Sequence, residues 1–155
     1  MTTPSRPAPD QAPDALAASL FSELLIAEQL ARGLLQKALP KGMQISHFSV
    51  LNLLAHVGDE RSPAELAGAF HVTRGAMSNT LARLEWAGYV HIRPDWDDAR
   101  RKNVSISPAG RNARDAALAA LTPLMTEIVR DIGTERVRTA LPVLRELRLR
   151  LDLTE

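Results

Sequence analysis

Residues 62–110 read SPAELAGAFHVTRGAMSNTLARLEWAGYVHIRPDWDDARRKNVSISPAG, and their punctuation decides the fold. Ser62-Pro63-Ala64-Glu65 joins a serine N-cap, a proline at the first helical position and a glutamate placed to close a capping box, so a helix starts at Pro63. Gly68 and Phe70-His71-Val72 end it within a few residues. The Thr73 hydroxyl then caps a second helix that continues through about Ala87. Gly88 stops that helix, and Tyr89 to Arg93 and Lys102 to Ile106 alternate as strands on either side of a charged loop. The order is helix, short turn, helix, hairpin.

The second helix divides into two faces. Met77, Leu81 and Leu84 fall at i, i+4 and i+7 and form the core stripe. Arg74, Gly75, Ser78, Asn79, Ala82 and Arg83 point away from it, a face that is small, polar and cationic. Arginine can donate two bonds to guanine, asparagine can pair with the adenine edge, serine serves several acceptors, and small residues let a helix approach a groove floor. A solvated polar surface has the same composition, so the face alone does not choose between the two readings. The hairpin does. Asp95, Asp97 and Asp98 stand across a loop from Arg100, Arg101 and Lys102, and Asp98 can orient Arg100 by a charge-assisted bond for a narrow minor groove. A helix for the major groove followed by a cationic hairpin tip reads nucleic acid rather than performing catalysis.

Outward from this stretch the chain is helical. Residues 1–14 hold four of the ten prolines and read as a solvated tail. From Ala15 to Leu39, Leu16, Leu20, Leu24, Ala27, Leu30, Ala31 and Leu34 recur at three- and four-residue steps, and Pro40 and Gly42 end that helix. Ser46 is expected to cap a further helix carrying Phe48, Val50, Leu51, Leu53 and Leu54, with Gly58 just past its end. After the hairpin, Ser107-Pro108 repeats the cap-plus-proline start and opens a helix to about Ile132. Gly133 and Thr134 separate it from a last helix with Val137, Leu141, Leu144, Leu147, Leu149 and Leu151. Pro123 and Pro142 fall inside these patterns and should bend the helices. The leucine stripes fit either intrachain core or a dimer contact. The arginines and acids of the last helix, from Glu135 to Glu155, read as a solvated face.

With 155 residues, one domain of ordinary size is the prior. The formal net charge is +1, so any electrostatic footprint must be local. There are no cysteines, which removes disulfides, thiolate metal sites and thiol redox sensing and fits a cytoplasmic chain. No apolar run has the length of a membrane span, and the N-terminus lacks a secretory signal pattern.

The run from Ile45 to Gly110 resembles the MarR family of winged helix-turn-helix transcription regulators. The likeness rests on Phe48-Ser49-Val50-Leu51, Glu65-Leu66-Ala67 and Val72-Thr73-Arg74-Gly75-Ala76-Met77-Ser78. It continues through Arg83-Leu84-Glu85, Gly88-Tyr89-Val90, Asp98-Ala99-Arg100 and Val104-Ser105-Ile106-Ser107-Pro108-Ala109-Gly110. The resemblance implies a mainly α (α+β) fold: a winged helix-turn-helix lobe over 45–107 between an N-terminal dimerisation helix, 15–44, and C-terminal dimerisation helices, 108–155. It also implies a homodimer on a pseudo-palindromic double-stranded DNA operator, repression by default, and release by a small aromatic or anionic organic effector. The DNA-binding residues expected are Thr73, Arg74, Gly75, Ser78, Asn79, Arg83, Asp98, Arg100 and Arg101. Asn79, Ser78 and Ala99 depart from residues common in the family, so the operator sequence does not transfer.

Near the crevice where relatives hold effectors, the candidates are Arg32, Met43, His47, Phe48 and His56, with Phe48 also readable as core and His47 as a surface histidine. His47, His56, His71 and His91 offer no pair at i, i+4 spacing, which argues against zinc. No phosphate loop, Ser-His-Asp order or carboxylate pair on an apolar face marks an enzyme, and no cofactor is expected. The competing reading is a helical protein-interaction module that keeps a winged-helix shape and does not bind DNA.

Overall fold

A computed structural model describes residues 13–154. The chain divides into two units, one ending at Lys37 and the other beginning at Ala38. The first unit's described part is a helix, α1 (Pro13–Ala38), with Asp14 in its first turn and Lys37 in its last, each the sign its end of the helix dipole favours. Pro13 and Asp14 therefore belong to this helix and not to the tail expected over 1–14, because a proline fits the first turn of a helix. Residues 1–12 lie outside the described residues. No residue of α1 is buried, and Leu16, Leu20, Phe21, Leu25, Ile26, Leu30 and Leu34 are exposed.

The second unit holds α2 (Ile45–Val57), α3 (Pro63–Ala69), α4 (Arg74–Trp86), β1 (Val90–Pro94), β2 (Lys102–Ile106), α5 (Pro108–Ile132) and α6 (Thr134–Asp152). Its core is built from Val50, Leu51 and Leu54 of α2, Leu66 and Ala67 of α3, Met77, Leu81 and Leu84 of α4, Val90 and Val104 of the strands, and Ala117 and Leu121 of α5, while α6 buries no residue. The helical stripes follow the three- and four-residue steps of the sequence, so burying them fixes which way each opposite face points.

Helix starts follow the sequence with one correction. Ser62 Oγ accepts from the Glu65 N–H at 3.1 Å while Glu65 Oε2 accepts from the Ser62 N–H at 2.7 Å, which completes the capping box of α3. That Ser62 N–H bond holds the Glu65 carboxyl below the usual carboxylate range. Thr73 Oγ1 accepts from the Ala76 N–H at 3.1 Å and Ser107 Oγ from the Gly110 N–H at 3.0 Å. Ser46 does not cap α2. Gln44 occupies the cap position, and its N–H donates to His47 Nδ1 at 3.2 Å, so a histidine closes the box from inside the helix.

The two strands pair antiparallel, Val90 with Ile106, Ile92 with Val104 and Pro94 with Lys102. Arg61 adds a bridge to Val104, with N···O distances of 3.1 and 2.8 Å, tying the chain ahead of α3 to the wing. At the foot of the hairpin Ser107 Oγ donates to the Gly88 carbonyl at 2.6 Å. Gly110 passes so close that a Cβ there would lie 2.0 Å from the Tyr89 carbonyl oxygen, which only glycine permits. α5 runs through Pro123 and α6 through Pro142 without interruption. Gly133 alone, at φ +107°, separates them. Along these two helices Met125, Ile128, Ile132, Leu141, Val143, Leu144, Leu149 and Leu151 are exposed.

Candidate nucleic-acid interface

The α4 helix is oriented by what it buries. With Met77, Leu81 and Leu84 inward, Arg74, Gly75, Ser78, Asn79, Ala82 and Arg83 all lie exposed. Gly75 has no atom within 4 Å of where a Cβ would stand, so the fold does not demand glycine there and the space in front of the helix is open. Thr73 is exposed too, with its hydroxyl oxygen engaged as the cap.

Ser78, Leu81, Ala82 and Glu85 form one wall of a groove of about 290 Å³ whose other wall is Ile92, Arg93, Pro94 and Lys102 of the hairpin. Helix and wing thus share one concave surface. Arg83 falls on the opposite flank. It lines a different cavity of about 490 Å³ with Lys41, Met43, His47, Leu84, Trp86 and Tyr89, so it lies apart from Ser78.

The wing loop is more constructed than an alternating pattern can reveal. Asp98 Oδ1 accepts from the Arg100 backbone N–H at 3.0 Å and from its Nε at 3.2 Å, while the Arg100 side chain remains 93% exposed. The carboxylate orients the guanidinium and leaves its far edge free to donate, as the sequence reading expected. Arg101 is likewise exposed, and its N–H donates to the Asp98 carbonyl at 2.9 Å.

Two parts of the loop escaped the sequence reading. Asp95 does not face the cations. Its Oδ1 accepts from the Asp97 and Asp98 N–H groups at 2.8 and 3.3 Å, and its Oδ2 from Asn103 Nδ2 at 2.9 Å. These bonds hold its carboxyl below the usual range and make it the organiser of the loop. Arg93 forms a two-pronged pair with Glu60, Nε to Oε1 at 2.8 Å and Nη2 to Oε2 at 2.5 Å, and lies 5.4 Å from the centre of the Trp96 ring. An aspartate two residues before an aspartate is the local signal for the first. The second spans 33 residues of sequence and leaves no local signal.

The four effector candidates of the second unit do not converge. Met43 and His47 line the 490 Å³ cavity, while Phe48 and His56 line a shallower one with Asn52, Leu53 and Phe70. Arg32 lies on α1, paired with Glu28 at 2.7 Å. Phe48 is only partly buried. His47 is not a surface residue: it is 8% exposed, and burial together with the nearby Arg83 cation lowers its pKa. Lys41, Trp86 and Tyr89, which the sequence reading missed, join it around the larger cavity. Among the described residues no group of three or more His, Asp or Glu side chains could hold a metal ion, and no helix is long and apolar enough to cross a membrane.

A sequence model of the MarR family matches residues 41–101, the span from the loop before α2 to the wing tip. No curated protein sequence matches the chain at a significant level. Among solved structures, the transcriptional regulator BldR from Sulfolobus solfataricus superposes with a TM-score of 0.81 at 25% identity, over 90% of this chain and 99% of its own. A probable transcriptional regulator from Pseudomonas aeruginosa gives 0.75 at 23% identity, over 85% and 98%. A MarR mutant from E. coli complexed with operator DNA gives 0.76 at 22% identity, over 88% and 99%. The match to the MarR family of transcriptional regulators falls on the helix-turn-helix and wing, residues 41–101, and over most of the chain the winged helix-turn-helix fold agrees with that of these solved structures.

Proposed function

We propose that the chain is a sequence-specific DNA-binding repressor that acts as a homodimer on a pseudo-palindromic operator and is released by a small organic anion. The observation that carries the DNA reading is the shared concave surface of α4 and the wing: Ser78 and Ala82 on one wall, Lys102 on the other, with Arg100 held outward by Asp98. Arg74, Ser78 and Asn79 are the candidates for base edges in the major groove, and Arg100 and Arg101 for the minor groove and phosphates beside it. The mutant MarR of E. coli, similar in fold, is seen with operator DNA.

The exposed leucines of α1, α5 and α6 support a dimer, because an apolar surface of this extent on a monomer is a contact waiting for a partner. A two-fold axis would repeat α4, so each operator half would carry the same sequence on opposite strands. Release is supported by the 490 Å³ cavity, where Lys41, His47 and Arg83 supply positive or donor groups and Trp86 and Tyr89 supply ring faces. His47 Nδ1 already accepts the Gln44 N–H, which leaves Nε2–H as its free donor. Arg83 and Trp86 belong to α4 itself, so a ligand seated there has direct purchase on the recognition helix.

The test is selection of bound fragments from a genomic pool. A regulator returns a short shared pseudo-palindrome. Recovery of fragments with no common sequence would contradict it. Benzoate, as a simple aromatic carboxylate, is then added to the selected complex, and weakened DNA binding that Lys41→Ala abolishes is the expected result. Equal weakening in the variant would remove the effector role from this cavity.

A further inference from the structure

Trp96 is 88% exposed, in a loop whose neighbours carry charge or hydrogen bonds. An indole left in water forgoes the burial that normally justifies so large an apolar ring. It is not a loose side chain on a loose loop. Asp95 fixes the backbone on its far side by accepting from Asp97 and Asp98 and anchors the loop to β2 through Asn103. The Arg93 guanidinium lies 5.4 Å from the ring centre and is itself held by Glu60. One side of the ring is thus braced by a cation, and the rest of it stands open two residues before Asp98, which orients Arg100.

We propose that Trp96 is a second DNA-contacting residue of the wing, packing on the sugar–phosphate edge of the duplex beside the groove that Arg100 enters. The proposal rests on the DNA-binding reading above. Its chemistry suits a duplex edge: deoxyribose offers apolar C–H surface to the ring, and phosphate or groove acceptors can take the indole N–H, its single donor. A protein partner is the other occupant such a ring could have, but the wing also carries Arg100, Arg101 and Lys102, all exposed, and that charge favours a polyanion. The contact differs in kind from those cations. Packing an indole on sugar releases no condensed counterions, so it raises affinity without steepening the salt dependence.

The experiment compares the wild type, Trp96→Ala, Trp96→Phe and Arg100→Ala for binding to the duplex recovered by genomic selection, at several salt concentrations. Trp96→Ala should weaken binding about tenfold with an unchanged salt slope, Trp96→Phe should lose less, and Arg100→Ala should lower the slope by about one. In Trp86→Phe, whose sole indole is Trp96, acrylamide quenching should fall when that duplex is added. Wild-type affinity in Trp96→Ala, or quenching that the duplex leaves unchanged, would overturn the proposal even if the alanine variant folds poorly. Quenching already suppressed in the free protein would place the ring in a protein contact and overturn it as well. A wild type that binds no duplex would instead sink the DNA-binding reading on which this one stands.

Discussion

Arg100 reaches solvent almost completely exposed, yet its guanidinium is already tethered to Asp98 at 3.2 Å. Replacing the carboxylate leaves the cation in place but frees its rotamers. Because an exposed pair of this kind contributes about 0.2–1 kcal/mol, Asp98→Ala should weaken operator binding by no more than about fivefold. Arg100→Ala should weaken it further, and the double variant should match Arg100→Ala alone. Additive losses in a filter-binding or anisotropy titration would show that Asp98 contributes something other than orientation. Gly75 offers a cleaner separation of folding from binding. No protein atom opposes a side chain there, and glycine inside a helix costs about 0.5–1 kcal/mol relative to alanine. Gly75→Ala should therefore raise the melting temperature and, if DNA fills the open space, lower operator affinity. A variant that gains stability and binds as tightly would take Gly75 out of the interface.

Among the elements, α3, α4 and the two strands were legible because their signals are local: Ser62-Pro63, Thr73, Gly88 and two alternating runs. The start of α2 was not. The sequence offers Ser46 as an obvious cap, but Gln44 and His47 form the turn instead, placing Val50, Leu51 and Leu54 in the core. That arrangement carries a pH dependence. Burial and the Arg83 cation lower the pKa of His47 in the folded protein, so the unfolded chain takes up the proton first as the solution is acidified. The stabilising contribution is present above the ordinary histidine pKa near 6.5 and is lost as pH falls through that value toward the lower folded one. Thermal melts should accordingly show stability falling as the pH drops below about 6.5, and the fall should be shallower in His47→Gln, which keeps an acceptor for the Gln44 N–H but cannot titrate. Parallel curves for the two proteins would mean that other groups carry the acid sensitivity. The wing loop was half legible for a similar reason: the Asp98–Arg100 pair spans two residues, whereas the Glu60–Arg93 pair that braces Trp96 joins segments far apart in sequence.

For the whole molecule, the sequence carried the fold class and the order of helix, turn, helix and hairpin, since both follow from periodicity and caps. It did not carry the convergence of side chains in space. Met43, His47, Phe48 and His56 share suitable chemistry but not one cavity. Lys41, from the loop before α2, and Trp86 and Tyr89, from the end of α4 and the turn after it, meet around His47. Nor could leucine spacing decide between core and dimer contact. The exposed stripes of α1, α5 and α6 now favour the second, and predict a dimer in equilibrium sedimentation, with Leu144→Glu shifting it to monomer and weakening operator binding together. The central claim, that helix and wing form one cationic surface for duplex DNA, is tested most directly by titrating the protein with its selected operator and with a mixed-sequence duplex at two salt concentrations. The account predicts tight binding to the operator, weaker binding to the mixed sequence, and a loss of affinity for both as salt rises, with the logarithmic slope set by the phosphates contacted. Equal, weak and salt-insensitive binding to both duplexes would contradict it.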